Sequence, residues 1–491
     1  VSAVTDVDRA AAPYSGPTFF GQPRPLATLF GVELWERFSF YGMQGILLLY
    51  LIYSAAEGGL GIDETTATGI IGAYGGLVYL STVGAAWIAD RVLGAERTLF
   101  FSAVLVMAGH IALAVLPGLA GVGVGLVLVA LGSGGIKATA TSLVGTLYAE
   151  GDERRDAGFS LFYLGINLGA LLGPLLTGLL QTTLGFHYGF GLAALGMALG
   201  LAQYTVGRRR LPRSAAEVPA PLRARDRLVA AGVALAGVVV VVVLALTGVL
   251  RADRLNAIVV GVTVVAAVGY FVLILASRRI TRIERRRVLA FIPLWIASAV
   301  FWSLYQQQFT VVTLYADSRL DRSLFGWEMP VSWVQSINPV FIIVLSGAFA
   351  ALWTKLGPRQ PSTPVKFALG TAIMGVAFLL FLPMAGGGPG SAPLLGLTGI
   401  LLVFTIAELL LSPVGLSLST KLAPAAFRTQ MVALFFLSVA LGSALSGTLA
   451  GYYSPASEVP YFGVLGGAAI VVGAVVALLT PVLRRLMEGV R

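Results

Sequence analysis

The sequence contains no cysteine and only two histidines in 491 residues. The first absence excludes disulfides, thiolate metal centres and cysteine nucleophiles. The second leaves His110 and His187 without another imidazole at ligand spacing, so packed or interfacial roles are expected for both, with no metal site. Charge is also scarce: 11% of residues are Asp, Glu, Lys or Arg, against 57% hydrophobic. Soluble domains carry about 25% charged residues, so this composition describes a polytopic, all-α membrane protein. No Ser-His, His-rich or paired-Asp constellation occurs at membrane depth, so neither an enzyme nor a cofactor is expected. The first 24 residues lack the apolar core of a signal peptide, which makes the first span the expected insertion signal and residues 1–24 a loose tail.

What the chain does contain is a series of apolar runs of about 20 residues, the length of a helical span. Fourteen are expected, at 25–54, 66–90, 97–117, 121–147, 157–182, 187–206, 226–249, 255–277, 288–315, 332–355, 365–384, 394–420, 429–450 and 460–482. Basic residues cluster in alternate connections: Arg91 with Arg97, Arg154 with Arg155, Arg208 to Arg210 with Arg213, Arg278 through Arg287, Lys355 with Arg359, Lys421 with Arg428, and Arg484 with Arg485. Short loops rich in Lys and Arg stay cytoplasmic, so both termini are expected there. Arg251, Arg254, Arg319 and Arg322 are the exceptions on the opposite side. The net charge of +10 is thus a topology signal. Scattered over short loops, it does not point to nucleic acid.

The run beginning at Leu26 is interrupted by Glu33, Glu36 and Arg37. A charge at mid-bilayer costs roughly 2.5 to 3.5 kcal/mol on insertion scales, so three in one helix require partners or a wet cavity. Glu33, Arg37, Phe40, Tyr41 and Gln44 follow at steps of three or four, or adjoin on one face. That face is expected to line a site.

Organisation reads as six helices (25–210), an inserted charge-poor hairpin (226–277) expected to be peripheral and lipid-facing, and six more followed by a cytoplasmic tail (288–491). Asp90-Arg91-x-x-Gly94-x-x-Arg97 is echoed weakly by Lys355-x-Gly357-x-Arg359. Two related halves with a midplane site between them describe a secondary transporter. Arg37, Lys137 and Glu408 each lie ten to twelve residues from a cytoplasmic helix end, roughly 18 Å deep at about 1.5 Å per residue. Two cations from one half and an anion from the other make a bipolar chamber, suited to a zwitterion whose carboxylate meets Arg37 and Lys137 and whose ammonium meets Glu408.

The string Glu33-x-x-Glu36-Arg37-Phe38-x-Phe40-Tyr41-Gly42 resembles the signature of the proton-dependent oligopeptide transporter family, a branch of the major facilitator superfamily. So do Phe162-Tyr163-x-x-Ile166-Asn167-x-Gly169, Gln335-Ser336-x-Asn338-Pro339 and Glu408-Leu-Leu-Leu-Ser412-Pro413-x-Gly415. The resemblance runs from about Thr18 to the end. It implies a major facilitator fold and proton-coupled uptake of di- and tripeptides by alternating access, in the plasma membrane. By the same resemblance Arg37, Phe40, Tyr41, Tyr79, Lys137, Asn167, Asn338, Glu408 and Phe435 line the peptide site, while Glu33 and Glu36 are proton-linked. Lys137 and Glu408 double as gate residues.

Several positions depart from that pattern. Phe40 stands where many relatives have tyrosine and Phe435 where many have tryptophan. Ala138-Thr139 replaces Pro-Asn. Gln44 and Gln306 replace an arginine and an acid that pair across the outer gate in some relatives, and a hydrogen-bonded glutamine contact is expected in their place.

A substrate carboxylate at Arg37 and Lys137 is expected to compete with Glu33 or Glu36 and so tie binding to protonation, with protons as the coupling ion. Asp90, Arg91 and Arg97 are expected to latch cytoplasmic helix ends. The expected partners are small peptides, protons and the bilayer, with the chain monomeric. Permanent pairing of Arg37 and Lys137 with Glu33 and Glu36, locking helices together, is the structural alternative. A carrier of another solute, such as nitrate or a drug, and a receptor that binds peptide without moving it stay open.

Overall fold

The computed structural model describes residues 18–149 and 152–489; residues 1–17 of the expected N-terminal tail and the last two residues of the chain lie outside the described residues. Helices fill the apolar runs. In the first part they are α1 (Pro25–Ile52), α2 (Glu64–Ile88), α3 (Ala95–Val115), α4 (Gly118–Gly145), α5 (Arg154–Leu184) and α6 (Phe186–Gly207). Next come α7 (Ala224–Leu246) and α8 (Ala252–Ala276). The last part holds α9 (Arg282–Tyr305), α10 (Val311–Ser318), α11 (Ile337–Leu356), α12 (Thr363–Leu379), α13 (Leu394–Lys421), α14 (Arg428–Ala450) and α15 (Glu458–Leu486). Two short hairpins, β1 (Thr18–Phe19) with β2 (Gln22–Pro23) and β3 (Ser323–Leu324) with β4 (Trp327–Glu328), lie outside the helices.

Local signals set several boundaries. Pro25 opens α1, where its fixed φ suits the first turn and its missing N–H is not needed. Asp63 caps α2 by accepting from the Thr66 N–H at 2.9 Å, which holds its carboxyl below the usual carboxylate range. Thr281 and Glu284 form a capping box at the start of α9. Pro174 and Pro413 lie inside α5 and α13, whereas Pro339 sits in the first turn of α11 and starts that helix instead of bending its interior.

Twelve spans among the described residues are long and apolar enough to cross a membrane. α1 and α7, of 28 and 23 residues, are not among them. α1 carries Glu33, Glu36 and Arg37, and its neighbours α5 and α6 enclose it, so it is sheltered from lipid by protein. The run expected as one helix over 288–315 is broken: α9 ends at Tyr305, Gln306–Phe309 form a 3-10 turn, and α10 resumes at Val311. A π turn, Ala89–Leu93, likewise closes α2. The segment 226–277 is not wholly peripheral, because α8 packs against both α2 and α14 and Asn256 donates to Thr448 Oγ1 at 2.8 Å.

α1–α6 and α9–α15 are joined at the end of the helices away from the termini. Ser332 and Ser336 donate to the carbonyls of Pro174 and Leu171 at 3.0 and 2.8 Å, and Trp333 Nε1 donates to Leu175 O at 2.9 Å. α2 and α14 meet backbone to backbone: a Cβ at Gly72 would lie 2.7 Å from Gly447 Cα. Tyr53, just past α1, donates to Asp317 Oδ1 of α10 at 2.7 Å. A hydrogen bond to a charged group contributes about 1.5 to 3 kcal/mol. Tyr53→Phe is therefore expected to shift the closed-to-open ratio at this end about tenfold toward open. Faster labelling of Ser443→Cys, set between α14 and α2 in a chain with no other cysteine, is the readout; unchanged labelling assigns the bond no closing role.

Candidate functional site

One turn of α1 gathers three charges. Arg37 donates from Nε and Nη2 to Glu33 Oε1 at 2.8 and 2.6 Å, the contact that i,i+4 spacing provides. Its Nε also lies 3.3 Å from Glu36 Oε2. Glu36 Oε1 accepts from Ser133 Oγ of α4 at 2.7 Å, tying the cluster to a second helix. Glu33, Glu36 and Arg37 are 2%, 0% and 5% exposed, so their charges must be balanced by protein groups. Two carboxylates around one guanidinium leave one negative charge over, and Glu33 Oε2 and Arg37 Nη1 have no hydrogen-bond partner.

Lys137 of α4 is positioned to supply the compensating charge. It lies within electrostatic reach of Arg37, Glu36 and Glu33, yet forms no ion pair among the described residues. Its Nζ instead sits 5.0 Å from the Phe40 ring centre and 5.6 Å from that of Tyr79. A cation held by ring faces is less firmly committed than one in a bidentate pair.

A separate polar cluster surrounds Glu408 of α13. Asn338 Nδ2 donates to Glu408 Oε2 at 3.2 Å and to Thr405 Oγ1 at 3.0 Å, and Tyr305 donates to Asn338 Oδ1 at 3.4 Å. Tyr41 stands between the clusters, within electrostatic reach of both Arg37 and Glu408, with its ring 6.1 Å from Phe309. Tyr41, Tyr79, Lys137, Asn167 and Glu408 are half-buried, neither sealed in packing nor fully exposed.

The structure therefore brings together Glu33, Glu36, Arg37, Phe40, Tyr41, Tyr79 and Lys137 on one side, and Asn338 with Glu408 on the other. Other expected residues sit differently. Asn167 turns back on its own helix, donating to Tyr163 O at 2.9 Å. Phe435 packs over Gly415 of α13, where an added Cβ would meet its ring at 2.5 Å. The expected Gln44 to Gln306 hydrogen bond is not present among the described residues. Gln44 is buried with Oε1 unpartnered, and Gln306, displaced by the 3-10 turn, faces the Tyr79 hydroxyl.

Asp90, Arg91 and Arg97 make no ion pair with one another. Arg97 is exposed, and the carbonyls of Asp90 and Arg91 instead accept from the N–H groups of Ala220 and Leu222. The ion pair at those helix ends joins Glu96 of α3 to Arg208 beyond α6. His110 is fully buried with neither ring nitrogen bonded, and His187 places Nδ1 3.2 Å from Leu113 O. Among the described residues no three His, Asp or Glu side chains converge as a metal site.

Sequence reasoning missed Ser133, Tyr305, Thr405 and Phe309. Ser133 had a signal, since it is four residues before Lys137 on the same helix face.

The POT family model matches residues 96–466 of this chain. An uncharacterized transporter, YclF, of Bacillus subtilis (strain 168) is 43% identical over 476 residues, 96% of each chain. A di-/tripeptide transporter of Lactococcus lactis subsp. cremoris is 40% identical over 492 residues, 96% of this chain and 98% of that one. Among solved structures, a peptide transporter POT in complex with sulfate is 44% identical, with a TM-score of 0.92 over 96% of this chain and 97% of its own. A POT family transporter in complex with 5-aminolevulinic acid is 38% identical, with a TM-score of 0.89 over 95% and 98%.

Proposed function

This chain belongs to the POT family, and from that premise we propose that it is a proton-coupled symporter that imports di- and tripeptides across the plasma membrane by alternating access. The observation that carries the reading is Arg37 held between Glu33 and Glu36 beside Lys137, with Glu408 on the far side of Tyr41. Residues 25–210 and 288–491 form two six-helix bundles and 226–277 an inserted hairpin. Together they give fourteen membrane helices with both termini cytoplasmic, in a protein that works as a monomer.

In this reading the peptide carboxylate binds Arg37, whose Nη1 has no other partner, and Lys137, which only ring faces hold. The peptide ammonium binds Glu408, oriented by Asn338. Tyr41, Tyr79, Phe40, Asn167 and Phe435 shape the side-chain pockets. A carboxylate arriving at Arg37 draws the guanidinium from Glu33 or Glu36, and a proton then neutralises the abandoned buried acid, because an unpaired buried charge costs several kcal/mol. Each positive charge carried inward gains about 2.3 kcal/mol per 100 mV. Substrate bridging Arg37 and Glu408 draws the bundles together, with Lys137 and Glu408 as inner gate residues and Gln44 and Gln306 near the outer one. Outer-end contacts such as Tyr53 with Asp317 support an inward-open state for the arrangement described.

Purified protein in liposomes is expected to accumulate labelled dialanine under an inward proton gradient. Glu33→Gln is expected to retain exchange of dialanine across the membrane but to lose accumulation driven by the gradient. Unchanged accumulation by that variant removes Glu33 from the coupling role. A second reading, a carrier of peptide-like amino acids, draws support from the relative solved with 5-aminolevulinic acid. Competition between that compound and dialanine separates the two.

A further inference from the structure

A cleft of about 550 Å³ opens at the terminal-side ends of α11, α12, α13 and α15, remote in sequence and along the helices from the Arg37 cluster. Gly357 and Pro358 of the loop echoing the one after α2 form part of its wall, with Trp353, Ser362, Lys366, Lys421 and Arg484. Three cations line it, and no carboxylate does among the described lining residues.

Lys366 is 9% exposed, which is unusual for a lysine. Its Nζ donates to Gln360 Oε1 at 2.8 Å and lies 4.2 Å from the Trp353 ring centre, so a neutral amide and a ring face are the partners described for a buried ammonium with three donors. Lys421 is within electrostatic reach of it and repels it. The Ser362 hydroxyl beside them is buried and has no hydrogen-bond partner, although Ser362 occupies the N-cap of α12. A like-charged set gathered around a buried ammonium, together with an unanswered hydroxyl and the positive end of a 17-residue helix, is complementary to an oxyanion.

We propose that this cleft binds a phosphate group, presented by an anionic phospholipid head group or by free phosphate. The position favours such a ligand. The cleft sits at the ends of membrane helices, where basic pockets meet anionic head groups and tryptophan sits at the interface. Phosphate oxygens reach Lys366 Nζ, the Ser362 hydroxyl and the guanidinium of Arg484. Occupancy then braces α12 against α13 and α15.

The test is binding by the intact, detergent-purified protein, read as thermal stabilisation against ligand concentration. The probes are inorganic phosphate, short-chain phosphatidylglycerol and short-chain phosphatidylcholine. Arg484→Gln, at an exposed position, keeps the fold; Lys366→Met removes the buried charge. Each is expected to weaken binding at least about tenfold, the loss of one charge-assisted contact. Saturable stabilisation by phosphatidylglycerol, weakened in both variants and absent with phosphatidylcholine, assigns the site to lipid. The same pattern with inorganic phosphate assigns it to free phosphate. Stabilisation by neither anion, or equal stabilisation of wild type and Arg484→Gln, overturns the proposal. Because the readout is not transport, this result stands apart from the assignment of substrate.

Discussion

Arg37→Gln is expected to reduce gradient-driven dialanine uptake at least a hundredfold, to the level of protein-free liposomes. The guanidinium pairs with two carboxylates that lie 2% and 0% exposed, and glutamine cannot. Removing one partner from a buried ion pair costs about 3 to 5 kcal/mol, and tenfold in equilibrium corresponds to about 1.4 kcal/mol. Much of that cost falls on the fold itself, so the melting temperature of the single variant is expected to drop. The double variant Glu33→Gln with Arg37→Gln separates the two roles. It removes one acid with the base, leaves Glu36 with its Ser133 bond, and is expected to recover most of the thermal stability but none of the uptake. Recovery of uptake in the double variant would assign Arg37 a purely structural role and return the anion site to Lys137 alone.

A wedge at the end away from the termini is expected to have the next largest effect. At Gly72 an added Cβ would lie 2.7 Å from Gly447 Cα, 2.8 Å from Gly447 N and 3.0 Å from Ala444 O, all backbone atoms. Side-chain rotation cannot relieve contacts of this kind, so α2 and α14 must separate. Gly72→Val therefore holds that end open, and uptake is expected to fall at least tenfold. A Ser443→Cys reporter in this background is expected to react fully with a membrane-impermeant maleimide applied from the side opposite the termini. Normal uptake would show that the contact is not needed for closure. Low uptake with the reporter still protected would place the damage elsewhere.

How much of this was legible in the sequence differs from one residue to the next. The apolar runs announced the long helices, and the charges in α1 announced their own cluster, because Glu33 and Arg37 are neighbours through helical spacing alone. Contacts that span the chain left no comparable trace. Tyr53 meets Asp317, and Glu96 meets Arg208, across 264 and 112 positions, and nothing in one sequence pairs such residues. The ninth run, 288–315, misled for another reason. Its composition is continuous, but Gln306, Gln307 and Gln308 are all buried, and hydropathy does not reveal where amide side chains interrupt a helical ladder. The cleft beside Lys366 was equally hidden, since Lys421 and Arg484 read as ordinary loop-end charges until four helix ends were brought together.

The interruption between α9 and α10 has a mechanical consequence. An unbroken helix resists bending because each turn is cross-braced by hydrogen bonds that must lengthen together. At Gln306–Phe309 that bracing is reduced to the shorter bonds of a 3-10 turn, and Thr310, with φ −123° and ψ −92°, lies outside helical geometry. α10 is moored by Asp317 to Tyr53 and by Thr313 to Gln335, while α9 continues to the far side of the molecule. A swing of the long segment can thus be absorbed in one flexure of a few residues, leaving the moored segment still and breaking no further helical bonds.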